Sequence, residues 1–71
     1  MENVKNETLW KSDNEKWIIK KDDAGRIVII ENSFYSHFPV IYDDNTIGYD
    51  NPFIIPNYVK KELQKIVNEL N

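Results

Sequence analysis

Residues 16–31, with the sequence KWIIKKDDAGRIVIIE, decide the fold of this chain. Residues 27–30 are all β-branched, and such side chains lose freedom in a helix but pack well on a pleated sheet. Turn-forming residues precede them at 22–25, ending in a glycine that takes a left-handed conformation without steric cost. The segment therefore predicts an antiparallel hairpin with strands at 16–21 and 26–31.

The second strand of this hairpin has no polar side. Successive side chains of a strand point to opposite faces, so Ile27 and Ile29 share one face while Val28 and Ile30 share the other. A sheet with one face in water normally alternates apolar and polar residues. We therefore expect both faces to be buried, the first by a helix. The second would be covered by the chain's own aromatic residues or by another polypeptide.

Shorter elements flank the hairpin. Residues 8–11 predict a strand, and residues 38–42 and 46–49 predict two more on either side of an acidic turn. Residues 32–37 are expected to be irregular or to form a short edge strand. Residues 1–7 are polar and are expected to form a flexible N-terminus.

The C-terminal part of the chain predicts one helix. Its apolar residues recur at spacings of four, three and four, which is the pattern of one helical face: Val59, Leu63, Ile66 and Leu70. Pro56 suits the first helical turn, where its missing N–H is not needed. Residues 8–71 therefore predict a single small α+β domain. It consists of an antiparallel β-meander of three to five short strands, with one C-terminal amphipathic helix packed on one face.

Composition excludes several classes of protein. The chain has 71 residues, no cysteine and one histidine, so we expect no disulfide framework, zinc finger or thiolate nucleophile. No segment approaches the roughly 18 consecutive apolar residues of a membrane helix. The polar N-terminus does not resemble a signal peptide, so we expect a cytoplasmic protein without membrane contact. Abundant asparagine, isoleucine and lysine, which have AT-rich codons, indicate a bacterial or phage gene.

The loop at residues 43–48, with the sequence DDNTIG, resembles the start of a calcium-binding loop. Positions one and three of such a loop would be the oxygen-bearing residues Asp43 and Asn45, and position six would be Gly48. Positions five and twelve, however, would be Ile47 and Ile54, whose side chains have no oxygen to bind calcium. Aspartate and asparagine are also common turn residues. We therefore expect a hairpin turn there, with no metal and no other cofactor.

Ser36 and His37, together with Asp43, Asp44 or Asp50, supply the residue types of a catalytic triad. The Gly-x-Ser-x-Gly turn that exposes many serine nucleophiles is not present in the sequence. A chain of this size also has little room for a substrate pocket. We therefore expect His37 to be a surface residue in a loop and the protein not to be an enzyme.

The small size of the chain favours association with another protein. A single core below roughly 70–80 residues rarely supplies more than about 3–5 kcal/mol, and small domains often gain further stability by associating. Aromatic side chains provide large contact areas at low entropic cost. We therefore predict a small protein–protein interaction or accessory protein that binds another protein or a copy of itself. The predicted partner-binding residues are Trp10, Trp17, Phe34, Tyr35 and Phe38.

Weak binding of single-stranded nucleic acid is the alternative function. Nine aromatic residues on a small sheet could stack on bases, as in other sheet-based binders. The formal net charge of −3 and the lysines interspersed with acidic residues disfavour phosphate binding. We therefore rank nucleic acid below a protein partner.

Overall fold

The computed structural model describes residues 7–70, which form six strands and one helix. The strands are β1 (Glu7–Lys11), β2 (Trp17–Lys21), β3 (Ile27–Glu31), β4 (Tyr35–His37), β5 (Val40–Ile41) and β6 (Ile47–Gly48), and the helix is α1 (Asn57–Leu70). Strands β1 to β4 form an antiparallel sheet in chain order, and β5 pairs with β6 in a separate two-stranded ladder. The predicted α+β fold, with a meander and a C-terminal helix, is confirmed.

The central hairpin forms where the sequence predicts it. Strands β2 and β3 pair with Ile19 opposite Ile29, and Gly25 in the turn has a φ of 84°. The strand predicted at 38–42 contracts to β5, because Pro39 has no N–H to donate to a ladder and Tyr42 already belongs to the turn, where its carbonyl accepts from the backbone N–H of Asn45. The segment at 32–37 ends in the short edge strand β4. Of the predicted flexible N-terminus, Glu7 belongs to β1 and the other residues lie outside the described part of the chain.

A β-bulge in β1 turns two consecutive side chains toward the core. Thr8 pairs with Lys20 and Trp10 pairs with Ile19, so the register shifts between them. Regular alternation would send Leu9 and Trp10 to opposite faces, but the extra residue of a bulge removes that constraint. Both side chains consequently pack against the core.

The helix covers one face of the sheet, which we call the core face. Trp17, Ile19 and Ile29 lie on this face, and each is at most 2 % exposed. The buried residues of the helix are Val59, Leu63, Ile66 and Val67. Leu70 was predicted to belong to this stripe, but the structure contradicts that prediction, because the last turn leaves Leu70 56 % exposed.

The β5–β6 hairpin also packs on this core. Ile41, Ile47 and Tyr49 are partly buried against the central cluster. The side-chain amide of Gln64 donates to the backbone carbonyl of Asn45 at 2.8 Å, which joins the helix to the turn of the hairpin. Burial raises the pKa of the Tyr49 phenol above its ordinary value. Helix and second hairpin together therefore form the layer above the core face.

The opposite face of the sheet, which we call the open face, carries Ile18, Val28 and Ile30. Ile18 pairs with Ile30 in the register, so the two lie side by side. Val28 is 8 % exposed but lies outside the central core cluster, and the other two are half-buried. The expectation of two buried faces is thus fulfilled at Val28 and only in part at Ile18 and Ile30.

Two turns hold carboxylates that accept several hydrogen bonds. Asp22 Oδ1 accepts from the backbone N–H of Arg26 at 2.8 Å, and Asp22 Oδ2 accepts from Arg26 Nε at 3.2 Å. Asp44 Oδ1 accepts from the hydroxyl of Thr46 at 2.6 Å and from its backbone N–H at 3.1 Å. The backbone N–H of Arg26 lowers the pKa of Asp22, and the hydroxyl of Thr46 lowers the pKa of Asp44.

Acid should weaken the fold through these two carboxylates. A group with a lowered folded-state pKa stabilises the protein above its unfolded pKa and loses that contribution as the pH falls through the folded pKa. We expect the free energy of unfolding to decline as the pH drops below 3.8, the ordinary value for both groups. Urea titrations across this range should show a shallower decline in an Asp22→Asn, Asp44→Asn double variant. Equal declines in the two proteins would contradict the prediction.

Candidate binding groove and open sheet face

The tight turn between β3 and β4 presents two aromatic side chains to solvent. Asn32 and Ser33 have φ values of 57° and 60°, and the backbone N–H of Phe34 donates to the carbonyl of Glu31 at 3.0 Å. A left-handed backbone is unfavourable for most residues, although asparagine tolerates it. Phe34 is 77 % exposed and Tyr35 is 56 % exposed, with their rings edge to face at a centroid distance of 4.9 Å.

His37 is a buried strand residue, which corrects the prediction of a surface histidine in a loop. It pairs with Ile29 and therefore points to the core face, where its ring centroid lies 6.0 Å from that of Trp17. Its Nε2 lies 3.2 Å from Glu31 Oε1. Ser36 pairs with Ile30 and points to the open face, so strand alternation separates it from His37. The two side chains are therefore not arranged as a nucleophile and its base.

A groove of about 550 Å³ lies between β4 and the loop that follows β6. On the sheet side it is lined by Glu31, Tyr35, Ser36 and His37, and on the loop side by Asp50, Asn51 and Ile54. This volume is within the range of roughly 300–1,000 Å³ typical of ligand sites. The groove combines an exposed aromatic ring, an aliphatic side chain and two carboxylates.

Both walls of the groove are anchored to the core. On the sheet side, His37 is 8 % exposed and contacts Trp17 and Glu31. On the loop side, the backbone N–H of Ile54 donates to the carbonyl of Asn51 at 3.1 Å, and the next residue, Ile55, is 3 % exposed. Each wall of the groove therefore includes or adjoins a buried residue, while Tyr35, Asp50 and Ile54 are exposed.

The open face collects positive charge that is dispersed in the sequence. Lys11 pairs with Ile18, and Lys20 pairs with Val28, so both lysines belong to this face. Arg26 lies two residues before Val28, and its Cζ is 5.3 Å from the ring centroid of Phe38. Phe38 follows His37 and is 46 % exposed. Half-buried apolar side chains on this face are thus accompanied by three cations and one aromatic ring.

A second cavity, of about 300 Å³, lies beside Trp10 and Tyr58 at the β1–β2 turn. Trp10 is edge to face with Tyr58 at a centroid distance of 6.4 Å. The buried hydroxyl of Ser12 donates to the side chain of Asn14 at 2.8 Å and accepts from the backbone N–H of Trp17 at 3.0 Å. These hydrogen bonds stabilise the β1–β2 turn, so Ser12 and Asn14 line the cavity as residues of that turn.

The structure separates the five predicted partner-binding residues into three groups. Trp17 is 2 % exposed within the core, so we correct its assignment from the binding surface to the fold. Trp10 is half-buried against Tyr58 and the core. Phe34, Tyr35 and Phe38 are exposed within and beside the edge strand β4.

Only Tyr35 of the seven lining residues was predicted as a binding residue, and the other six were not: Glu31, Ser36, His37, Asp50, Asn51 and Ile54. Glu31 belongs to β3, whereas Asp50 and Ile54 belong to the loop after β6. No local sequence pattern connects these segments, because they meet only when the second hairpin folds back over the sheet. The sequence analysis singled out Ser36, His37 and Asp50 only as the residue types of a catalytic triad, and not as binding residues.

The acidic turn at 43–45 closes the β5–β6 hairpin, as predicted. The backbone N–H of Asn45 donates to the carbonyl of Tyr42, and Asn45 has a φ of 70°. Asp44 is engaged by Thr46. Within residues 7–70, no three histidine, cysteine or acidic residues are grouped closely enough to hold a metal ion.

Comparison of the chain with protein-family models, curated proteins and solved structures yields no significant match. In the described part of the chain, no helix has both the length and the apolar character needed to cross a membrane.

Proposed function

We propose that this chain is a small, non-enzymatic protein–protein interaction module that binds through the β3–β4 hairpin. The observation that carries this proposal is the exposure of three aromatic residues in one short segment, Phe34, Tyr35 and Phe38, which are 77 %, 56 % and 46 % exposed. Large aromatic residues at the centre of an interface commonly provide much of its binding energy. Their concentration within five consecutive residues beside one sheet edge supports an interaction surface.

The adjoining open face supports the same proposal. Ile18 and Ile30 are half-buried there, and further burial of either side chain by a partner would be favourable. A partner that contacts Phe38 would reach this face directly, because Phe38 lies next to Arg26 above it. We propose either another protein or a second copy of this chain as the partner. The cysteine-free sequence and the abundance of asparagine, isoleucine and lysine, amino acids with AT-rich codons, support a cytoplasmic protein of bacterial or phage origin.

Replacing the three exposed aromatic residues should abolish binding without unfolding the chain. We expect a Phe34→Ser, Tyr35→Ser, Phe38→Ser variant to keep the wild-type circular dichroism spectrum, because none of these side chains belongs to the core cluster. Its affinity should fall at least tenfold, as expected when interface anchors are lost. Sedimentation velocity over a range of concentrations measures self-association, and selection from a random peptide display library measures binding to other sequences.

A Leu70→Ser variant is the matched control, because this side chain is exposed in the last helical turn and does not line the groove. We expect this control to bind as the wild type does. The proposal would be contradicted by a monomeric wild-type protein that enriches no peptide, or by a folded triple variant with unchanged binding.

Binding of single-stranded nucleic acid is a second candidate, favoured by one observation. Lys11, Lys20 and Arg26 share the open face with Phe38, and a base could stack on that ring. Trp10 and Trp17 cannot contribute from this face, because both point to the core face. A mobility-shift assay with an oligothymidine at low salt tests this candidate. Binding should weaken steeply with added salt and in a Lys20→Gln variant, and the lack of any shift would exclude it.

A further inference from the structure

The two edges of the four-stranded sheet differ in their capacity to accept another strand. An edge strand presents unpaired backbone N–H and C=O groups, and proteins commonly protect such edges with charges and β-bulges. Strand β1 has both, with a bulge between Thr8 and Trp10 and charged residues at its ends. Strand β4, with the sequence Tyr35-Ser36-His37, has no bulge and no lysine, and its short length is its one form of protection. The edge available for pairing is therefore β4, over a length of three residues.

The groove lies directly beside this available edge. Tyr35, Ser36 and His37 form both the edge strand and one wall of the groove. A polypeptide that paired with β4 would therefore place some of its side chains in the groove, since alternate side chains of a strand share a face. Main-chain pairing supplies affinity in this binding mode, and the adjoining pocket supplies specificity.

The charge of the groove indicates which side chain it accepts. Glu31 and Asp50 line it, and within residues 7–70 no lysine or arginine does so. The exposed ring of Tyr35 offers a face to a cation, and Ile54 offers an apolar contact to an aliphatic stem. Arginine and lysine combine an aliphatic stem with a cationic head, whereas a phosphate group would be repelled by both carboxylates.

We propose that the groove binds an extended, basic segment of a partner polypeptide. The segment pairs with the outer edge of β4, and one of its arginine or lysine side chains enters the groove between Glu31 and Asp50. This inference rests on the proposed protein–protein function and specifies the chemistry of the partner. A second copy of this chain and a nucleic acid are the alternative occupants that the experiment distinguishes.

The test uses the full-length protein to select from a random peptide display library, followed by titration of a synthetic version of the most enriched peptide. We expect the enriched peptides to contain arginine or lysine flanked by β-branched residues. Replacing the basic residue of the peptide by glutamate should weaken binding at least tenfold. N-methylation of its backbone at alternate residues should also weaken binding, because it removes the donors needed to pair with β4.

Two protein variants test the groove itself. Asp50→Asn should weaken binding of the basic peptide three- to tenfold, and Glu31→Gln should have a similar effect. Asp23→Asn changes the net charge by the same amount at an exposed turn outside the groove, so we expect it to leave binding unchanged. Circular dichroism checks each fold, and Asp50→Asn remains a valid test if Glu31→Gln disturbs the contact between Glu31 and His37.

The possible failures are distinguishable. Enrichment of acidic or purely apolar peptides, or equal binding by Asp50→Asn and the wild type, would overturn the groove proposal. If replacing Phe34 and Phe38 still abolishes binding of those peptides, the proposed protein–protein function is supported even though the groove proposal is wrong. A wild-type protein that dimerises through β4 and enriches no peptide would show that a second copy is the occupant. Steeply salt-dependent binding of an oligothymidine, with no peptide enriched, would overturn both proposals.

Discussion

Replacing Trp17 with alanine should leave most of the chain unfolded at room temperature. Trp17 is 2 % exposed, belongs to the central core cluster and contacts the ring of His37. Truncating a buried tryptophan to alanine typically costs about 3–5 kcal/mol. A single core of this size rarely supplies more than about 3–5 kcal/mol in total. The substitution therefore removes stability comparable to the whole free energy of unfolding.

Far-UV circular dichroism and urea titration measure this effect, and Phe34→Ala provides the matched control. Phe34 is 77 % exposed and outside the core cluster, so its truncation should change the free energy of unfolding by less than about 0.5 kcal/mol. A Trp17→Ala protein with the wild-type urea midpoint would contradict the assignment of Trp17 to the core. The pair of variants also separates two residues that the sequence placed on the same binding surface.

Replacing Leu63 with alanine should have the second largest effect, whereas the same substitution at Leu70 should have almost none. The side chain of Leu63 is fully buried on the side of the helix that faces the core, whereas Leu70 is 56 % exposed in the last turn of the same helix. Leucine-to-alanine substitutions in a core cost about 2–5 kcal/mol. Substitutions at exposed positions that take part in no helix cap, buried contact or hydrogen-bond network usually change the free energy of unfolding by about 0.5 kcal/mol or less.

Thermal and urea unfolding of the two variants measure this difference. The change in helix propensity between leucine and alanine is small, so burial is the main variable between the two sites. Similar losses of stability in both variants would mean that the last helical turn is packed, contrary to the structure. An intact Leu63→Ala protein would mean that the helix does not form the cover of the core face.

The groove illustrates why the candidate site was predicted only in part. Tyr35 was predicted as a binding residue, because aromatic side chains provide large contact areas at low entropic cost. Asp50 and Ile54 join Tyr35 in the groove only through the fold, since they follow β6 while Tyr35 opens β4. Similarly, Lys11, Lys20 and Arg26 are interspersed with acidic residues in the sequence, and only the strand register gathers them on one face.

Local sequence patterns alone determined the types of secondary structure in this protein. The β-branched run at 27–30, the turn before it and the helical spacing of Val59, Leu63 and Ile66 depend on contacts within a few residues of the chain. Such preferences act before distant segments meet, so they can be recognised in the sequence.

Only the tertiary structure decided which apolar residues are buried and which remain available for binding. Trp17 and Phe34 are both aromatic, but the pairing of β2 with β3 turns Trp17 beneath the helix, while the turn at 32–33 leaves Phe34 in solvent. Leu63 and Leu70 have the same helical spacing in the sequence, but only Leu63 lies within the core cluster and Leu70 is exposed. Burial depends on the register and the packing of distant segments, and these are set by the combined free energy of the whole core.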